Sequence, residues 1–130
     1  MNIVLDTCAL IWWSLDPDML SPSAQNLCDV MEKNKNGLVA SISLWEIALK
    51  VKKNKLDLGT DINTYINILD RSDVIKIISV DVGLWLDSVN LDWKHRDPAD
   101  RVIVALANNY QAQLITKDTI IKDFYSLTLW

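Results

Sequence analysis

Ile3-Val4-Leu5, followed at once by Asp6, limits what this chain can become. An apolar run with β-branched residues that is too short for a helix reads as a strand buried on both faces, the environment of a central strand in a parallel sheet. In open α/β sheets ligands bind in the crevice beyond the carboxyl ends of the strands, so an Asp at such a tip is the first candidate for a site. Asp6 is also of the type that caps a following helix. Which role it plays depends on whether other carboxylates arrive at the same edge.

The 130 residues fit one domain, 1–130, with half of them apolar and only three Gly and three Pro. A chain of this length buries about two-thirds of its unfolded surface without disulfide or metal staples. No apolar run is long enough to cross a bilayer, and the charged-then-apolar start of a secretory signal is missing, so a cytoplasmic location is expected. Cys8 and Cys28 form no C-x-x-C pair and no zinc spacing and read as reduced thiols. The net charge of −4 argues against a surface that holds nucleic acid by uniform basicity. Polyanion binding would have to be local, with carboxylates neutralised by divalent ions and lysines gathered at a rim.

Along the chain, Ala9 to Leu15 reads as a short helix stopped by Asp16-Pro17-Asp18. Ser21 as cap and Pro22 as first residue open a longer helix with Ala24, Leu27, Cys28 and Met31 on one face, closed by Asn34 to Gly37. Leu38-Val39-Ala40 is a second strand. Ser43, with Glu46 three residues on, has the capping-box pattern of a helix that runs to about Lys53 and buries Leu44, Ile47, Ala48 and Val51. Its lysines, Lys50, Lys52, Lys53 and Lys55, read first as complementing the helix dipole, although the same lysines could contact phosphates. Ile62 to Leu69 has helical spacing, Val74 to Ile78 is a third strand, and Asp81 to Leu91 is a helix expected to turn Val82, Trp85, Leu86 and Val89 inward. Asp97-Pro98-Ala99-Asp100 starts a nearly all-buried helix. Gln113 to Thr116 is a fourth strand ending beside Asp118, and Phe124 to Trp130 supplies a last strand at a sheet edge. The order βααβααβαα, then ββ or βαβ, calls for an α/β domain with a parallel sheet of four to five strands covered by helices on both faces.

Four acids converge on one edge of such a sheet: Asp6, Glu46, Asp100 and Asp118. Crowded carboxylates repel and raise one another's pKa unless positive charge lies between them. Hard divalent cations take such oxygens, and Mg²⁺ binds through a few carboxylates while keeping waters for a phosphate substrate. Such ions activate water for in-line displacement at phosphorus, with no nucleophilic side chain required.

Ile3-Val4-Leu5-Asp6-Thr7, Ser41-Ile42-Ser43-Leu44-Trp45-Glu46-Ile47-Ala48, His95-Arg96-Asp97-Pro98-Ala99-Asp100-Arg101-Val102-Ile103-Val104-Ala105 and Leu114-Ile115-Thr116-Lys117-Asp118, in that order and spacing, resemble the PIN-domain nucleases, and within them the VapC-like toxins of toxin-antitoxin pairs. The resemblance spans the chain. It implies a Mg²⁺- or Mn²⁺-dependent endoribonuclease whose metal-binding acids are Asp6, Glu46, Asp100 and Asp118. Asp97, one helical turn before Asp100, can share its face, although capping also accounts for it. Thr7, Ser43 and Thr116 stand beside the acids as accessory hydroxyls or as turn and cap residues. Arg96, Arg101, Lys117 and His95 flank them as phosphate contacts or as an ordinary charged rim. The chain departs from the family at Cys8, where many members with a tryptophan pair carry His.

Six tryptophans need places. Trp45 and Trp85 fall on helical apolar stripes and are expected in the core. Trp12, Trp13, Trp93 and Trp130 are harder to bury together, and aromatic anchors mark partner surfaces. A homodimer is expected, with a groove for an antitoxin segment near Trp12 and Trp13. Two other functions fit less of the sequence: a PIN scaffold that binds RNA or protein with little turnover, and a receiver-like domain phosphorylated at Asp6, which would need a second acid at the first strand end. There is no G-x-x-x-x-G-K-[ST] or G-x-G-x-x-G motif.

Overall fold

The computed structural model describes all residues from Met1 to Trp130. Its elements are β1 (Ile3–Leu5), α1 (Thr7–Leu15), a 3-10 turn (Pro17–Met19), α2 (Pro22–Asn34), β2 (Gly37–Ala40), α3 (Ser41–Lys52), α4 (Ile62–Arg71), β3 (Ile75–Ile78), α5 (Val82–Val89), α6 (Pro98–Tyr110), β4 (Gln113–Ile115), α7 (Thr119–Phe124) and β5 (Thr128–Leu129). The five strands form one sheet in the order β3-β2-β1-β4-β5, every pair parallel. Of the two endings the sequence allows, the chain takes βαβ, because Thr119 to Phe124 coil into α7 before the edge strand.

β1 lies in the middle of this sheet, with Val4 paired to Leu38 on one side and Leu114 on the other. Its pleat feeds two cores. Ile3 and Leu5 pack with residues of α1 to α4 on one face, while Val4 packs with α5, α6 and α7 on the other. All three are nearly inaccessible, and burying each such side chain contributes about 1.5–3 kcal/mol.

Helix ends follow local chemistry. Asp6, Ser21, Asp61, Asp81, Asp97 and Asp118 each accept a backbone N–H at the start of a helix. α2 is closed by Lys35 in the left-handed region at φ 52°, so Gly37 is not part of that cap. It opens β2 instead, where a Cβ would stand 2.6 Å from Ile75 Cγ2 and 2.7 Å from Met31 Sδ. Glycine is needed there for close packing.

α5 is rotated relative to expectation. Its buried side chains are Leu84 and Ser88, whereas Val82 (74 % exposed), Leu86 (57 %) and Val89 (70 %) face outward and Trp85 is only partly covered. The sequence Val82-Gly83-Leu84-Trp85-Leu86-Asp87-Ser88-Val89 is apolar on more than one side, so periodicity alone cannot choose the buried face. Polar ties choose it: Asn109 donates to Asp87 Oδ2 at 2.8 Å and Arg101 to the Ser88 carbonyl at 2.9 Å, turning residues 84 and 88 toward α6. Trp45, also expected in the core, is 61 % exposed on α3. Trp45, Trp85, Ile42 and Val80 line an open, mostly apolar hollow beside α5. Trp12 and Trp130, by contrast, pack against each other with centroids 5.6 Å apart, and Trp13 Nε1 donates to Glu32 at 2.9 Å. No helix is long and apolar enough to cross a membrane.

Candidate active site

Strand order reverses at β1, and the crevice opens just beyond its carboxyl end. Asp6 stands there, 8 % exposed. Oδ1 accepts the Ala9 N–H at 2.8 Å and so caps α1, while Oδ2 accepts the Thr116 hydroxyl at 2.5 Å. Capping and a place in the cluster coexist in one carboxylate. Burial pushes this group from 3.8 up to about 6; Asp100 and Asp118 add to the rise and the two hydrogen bonds oppose it.

Glu46 arrives from α3. That helix starts at Ser41 directly after β2, with Ala40 at the cap position and no side-chain capping bond. The expected capping box at Ser43 is therefore absent, because the strand turns into helix three residues earlier than the pattern requires. Ser43 is buried inside the first turn with Oγ 2.9 Å from Thr7 Oγ1, and Thr7 donates to Glu46 Oε1 at 2.5 Å. Ser41 instead accepts the Val80 N–H at 3.0 Å. Burial raises the Glu46 carboxyl, with Asp97 and Asp100 adding and Thr7 and Lys50 opposing.

Asp100 lies in the first turn of α6, capped by Asp97, whose Oδ1 accepts the Asp100 N–H at 2.9 Å. His95 Nε2 lies 2.7 Å from Asp100 Oδ2. Burial again raises the carboxyl, opposed by that bond and reinforced by Asp97 and Asp118. Asp118 caps α7 through the Ile120 N–H at 2.8 Å and donates its own N–H to Thr116 Oγ1 at 3.1 Å.

All four acids line one cavity of about 480 Å³, together with Thr7, Cys8, Trp12, Lys50, Lys117 and Thr119. Asp97 does not line it; it faces the neighbouring apolar hollow that Glu46 also borders. Arg96 is exposed outside the cavity. Arg101, which the sequence leaves open between a phosphate contact and a charged rim, directs its five N–H donors to the carbonyls of Ser88, Val89, Leu91, Trp93 and His95. Lys117 remains exposed on the rim, 5.8 Å from the Trp12 ring centroid.

Sequence reasoning offered Lys50 as a possible phosphate contact and Trp12 as a groove residue without placing either on the acid cavity, and it missed Cys8 and Thr119 there and the His95–Asp100 bond. Lys50 could have been found, since it lies four residues after Glu46 on the same helical face. Burial and the nearby carboxylates, Asp6 first among them, raise the Cys8 thiol, which therefore stays protonated.

Residues 3–127 match the PIN domain family. The chain belongs to it. This PIN domain is 27 % identical over 118 residues to Ribonuclease VapC22 of Mycobacterium tuberculosis, covering 90 % of the present chain and 87 % of that protein. Its fold is that of VapBC2 from Rickettsia felis, solved bound to a promoter DNA fragment, with TM-score 0.71, 19 % identity and coverage of 100 % and 98 %. It also matches VapC20 of Mycobacterium tuberculosis, a Sarcin-Ricin loop cleaving toxin, with TM-score 0.68, 16 % identity and 94 % of each chain covered.

In this PIN domain no three acids stand as a ready-made ligand set, yet the charges of Asp6, Asp100 and Asp118 bear on one another across the cavity. The donors are hard carboxylate oxygens, partly desolvated and mutually repelling. That chemistry fits a small divalent cation, which takes one or two carboxylates and keeps the rest of its waters.

Proposed function

We propose that this PIN domain is a Mg²⁺- or Mn²⁺-dependent endoribonuclease that hydrolyses RNA phosphodiester bonds and acts in the cytoplasm as the toxin of a toxin-antitoxin pair. The observation that carries the reading is the meeting of Asp6, Glu46, Asp100 and Asp118 in one cavity at the switch point of the sheet, with three of the four carboxyls raised by burial. Similarity to a protein named a ribonuclease supports it.

Asp6, Asp100, Asp118 and Glu46 would supply the carboxylates from which the cation takes its one or two protein ligands. Bound there, a divalent ion would supply charge to stabilise oxygens that become negative at phosphorus and would lower the pKa of the attacking water. Thr116 orients Asp6 and Thr7 orients Glu46, each by donating a hydroxyl proton, so the carboxylates keep their positions as charge changes. Lys50 and Lys117, on the cavity wall, are placed to meet RNA phosphates next to the acids. The net charge of −4 then demands that affinity come from this rim.

For partners, the reading includes a cognate antitoxin and a second copy of the chain. An antitoxin segment that runs along Trp12 would fill the cavity which that residue lines. The homodimer is assigned to the outward stripe Val82, Leu86 and Val89 with Trp45 and Trp85, because monomers rarely leave a contiguous apolar face of this kind uncovered. A two-fold interface needs such a self-complementary patch.

The test is cleavage of structured and unstructured RNAs by purified, antitoxin-free protein in Mg²⁺ or Mn²⁺ against EDTA. Cutting that requires metal is expected. A folded, metal-binding protein that cuts none of a broad RNA set would move the assignment to a binding scaffold.

A further inference from the structure

Helix α6 fixes the backbone of Asp100 but leaves its carboxylate free to rotate. Oδ2 is held by His95 Nε2 at 2.7 Å, and Oδ1 accepts no hydrogen bond from the chain. His95 comes from a stretch without regular structure between α5 and α6, so something else must hold the imidazole. Two features do. Arg101, the residue after Asp100 in α6, threads its guanidinium into the loop and binds the carbonyls of Leu91, Trp93 and His95 at 2.9, 2.6 and 2.8 Å. The Trp93 ring packs against the imidazole with centroids 4.8 Å apart, and is itself stacked on Phe124 of α7 at 4.7 Å and 10°. The loop that carries the imidazole is held by Arg101 and the ring itself by the aromatic pile, with Nε2 within hydrogen-bond distance of an acid of the cavity.

We infer that His95 is a positioning residue: its Nε2–H pins Asp100 Oδ2 and thereby presents Oδ1 to a divalent cation in the acid cavity. The inference rests on the metal-dependent reading above. Groups that orient metal-binding carboxylates are worth about 10–100-fold in metal affinity when removed. Arg101 acts one step further out, by holding the segment that carries His95. The same clamp explains why a basic residue so close to the acids is withheld from the RNA.

The experiment measures Mn²⁺ binding to the full chain by the electron paramagnetic resonance signal of free Mn²⁺. Parent, Asp100→Asn, His95→Phe, His95→Leu and His95→Gln are compared, and melting in EDTA confirms that each is folded. Phe keeps an aromatic ring against Trp93 and loses the N–H; Leu serves if Phe does not fold. Gln places an amide N–H near the Nε2 position. The expected result is a loss of about 10–100-fold in Mn²⁺ affinity for the Phe or Leu variant, with Gln recovering most of it. A Phe or Leu variant that binds Mn²⁺ like the parent, while Asp100→Asn does not, overturns the positioning role and leaves the metal site standing. An Asp100→Asn variant that binds like the parent removes the metal site at Asp100 and the inference with it. Failure of Gln to recover affinity also counts against the hydrogen bond as the cause.

Discussion

Thr116 donates its hydroxyl proton to Asp6 across 110 residues of sequence, joining the end of β4 to the end of β1 at the most buried acid of the cavity. The same oxygen accepts the Asp118 N–H, so a single hydroxyl ties two of the four acids into one network. Thr116→Val keeps shape and removes both bonds. It is expected to cost about 1–3 kcal/mol of stability above pH 7 and to lower RNA cleavage by about 10–100-fold, whereas Thr116→Ser retains most of both. Urea unfolding and a cleavage assay check this, and a valine variant as stable and active as the parent would contradict it.

Asp6 contributes to the pH response of the metal-free protein in the same direction as the raised Glu46 and Asp100 carboxyls. Its folded pKa is raised from 3.8 to about 6, chiefly by burial, so between those values the folded state holds a proton that the unfolded state has released. Stability in EDTA therefore falls as pH rises from about 4 to about 6 and stays lower above. At about 1.4 kcal/mol per pH unit the effect is on the order of 3 kcal/mol. Asp6→Asn removes the buried charge while its amide still accepts from Ala9. The variant should melt several degrees above the parent at pH 7.5 in EDTA, lose that advantage near pH 4, and be inactive on RNA. Equal melting temperatures at both pH values would contradict the raised pKa.

Arg101 should behave as a structural residue. Lys cannot reproduce a planar fork with five donors, so Arg101→Lys is expected to lose about 2–4 kcal/mol in urea unfolding. The salt dependence of RNA binding should not change in that variant. Lys117→Ala should leave stability alone and make the salt slope shallower by about 0.7, the value for one phosphate contact on a single strand. The opposite pattern would return Arg101 to the phosphate-contact role.

The outward stripe of α5 predicts the oligomeric state. Leu86→Glu places a charge in the middle of the apolar face without touching Leu84 or Ser88, the side chains that anchor the helix. Sedimentation at micromolar concentration should show a dimer for the parent and a monomer for the variant, with unchanged melting of the isolated subunit. A parent that sediments as a monomer would end the assignment of a second copy to this face.

Much of this architecture is legible because the short apolar strands and the Asp and Ser caps are local signals. β1, α2 and α6 appear where their residues put them; Asp6 and Asp118 meet because the carboxyl ends of β1 and β4 share an edge, and α3 and α6 carry Glu46 and Asp100 to the same cavity. What was not legible depends on contacts between distant segments. The facing of α5 is decided by Asn109 and Arg101, which lie in the next helix. Ser43 resembles a cap until β2 is seen to run straight into α3. Arg101 reads in sequence as a phosphate contact or a rim charge because nothing there shows that the preceding loop wraps its carbonyls around it. His95 reaches Asp100 only because that wrapping, and the Trp93–Phe124 stack, bring it there.

The most direct test of the central claim compares RNA cleavage by the parent and by Asp100→Asn, both shown to be folded, in Mg²⁺ and in EDTA. The account predicts cutting by the parent only with metal, and a loss of at least about a hundredfold in the Asn variant. Cleavage that survives EDTA, or an Asn variant that cuts at the parental rate, would show that the acid cavity is not the seat of the chemistry.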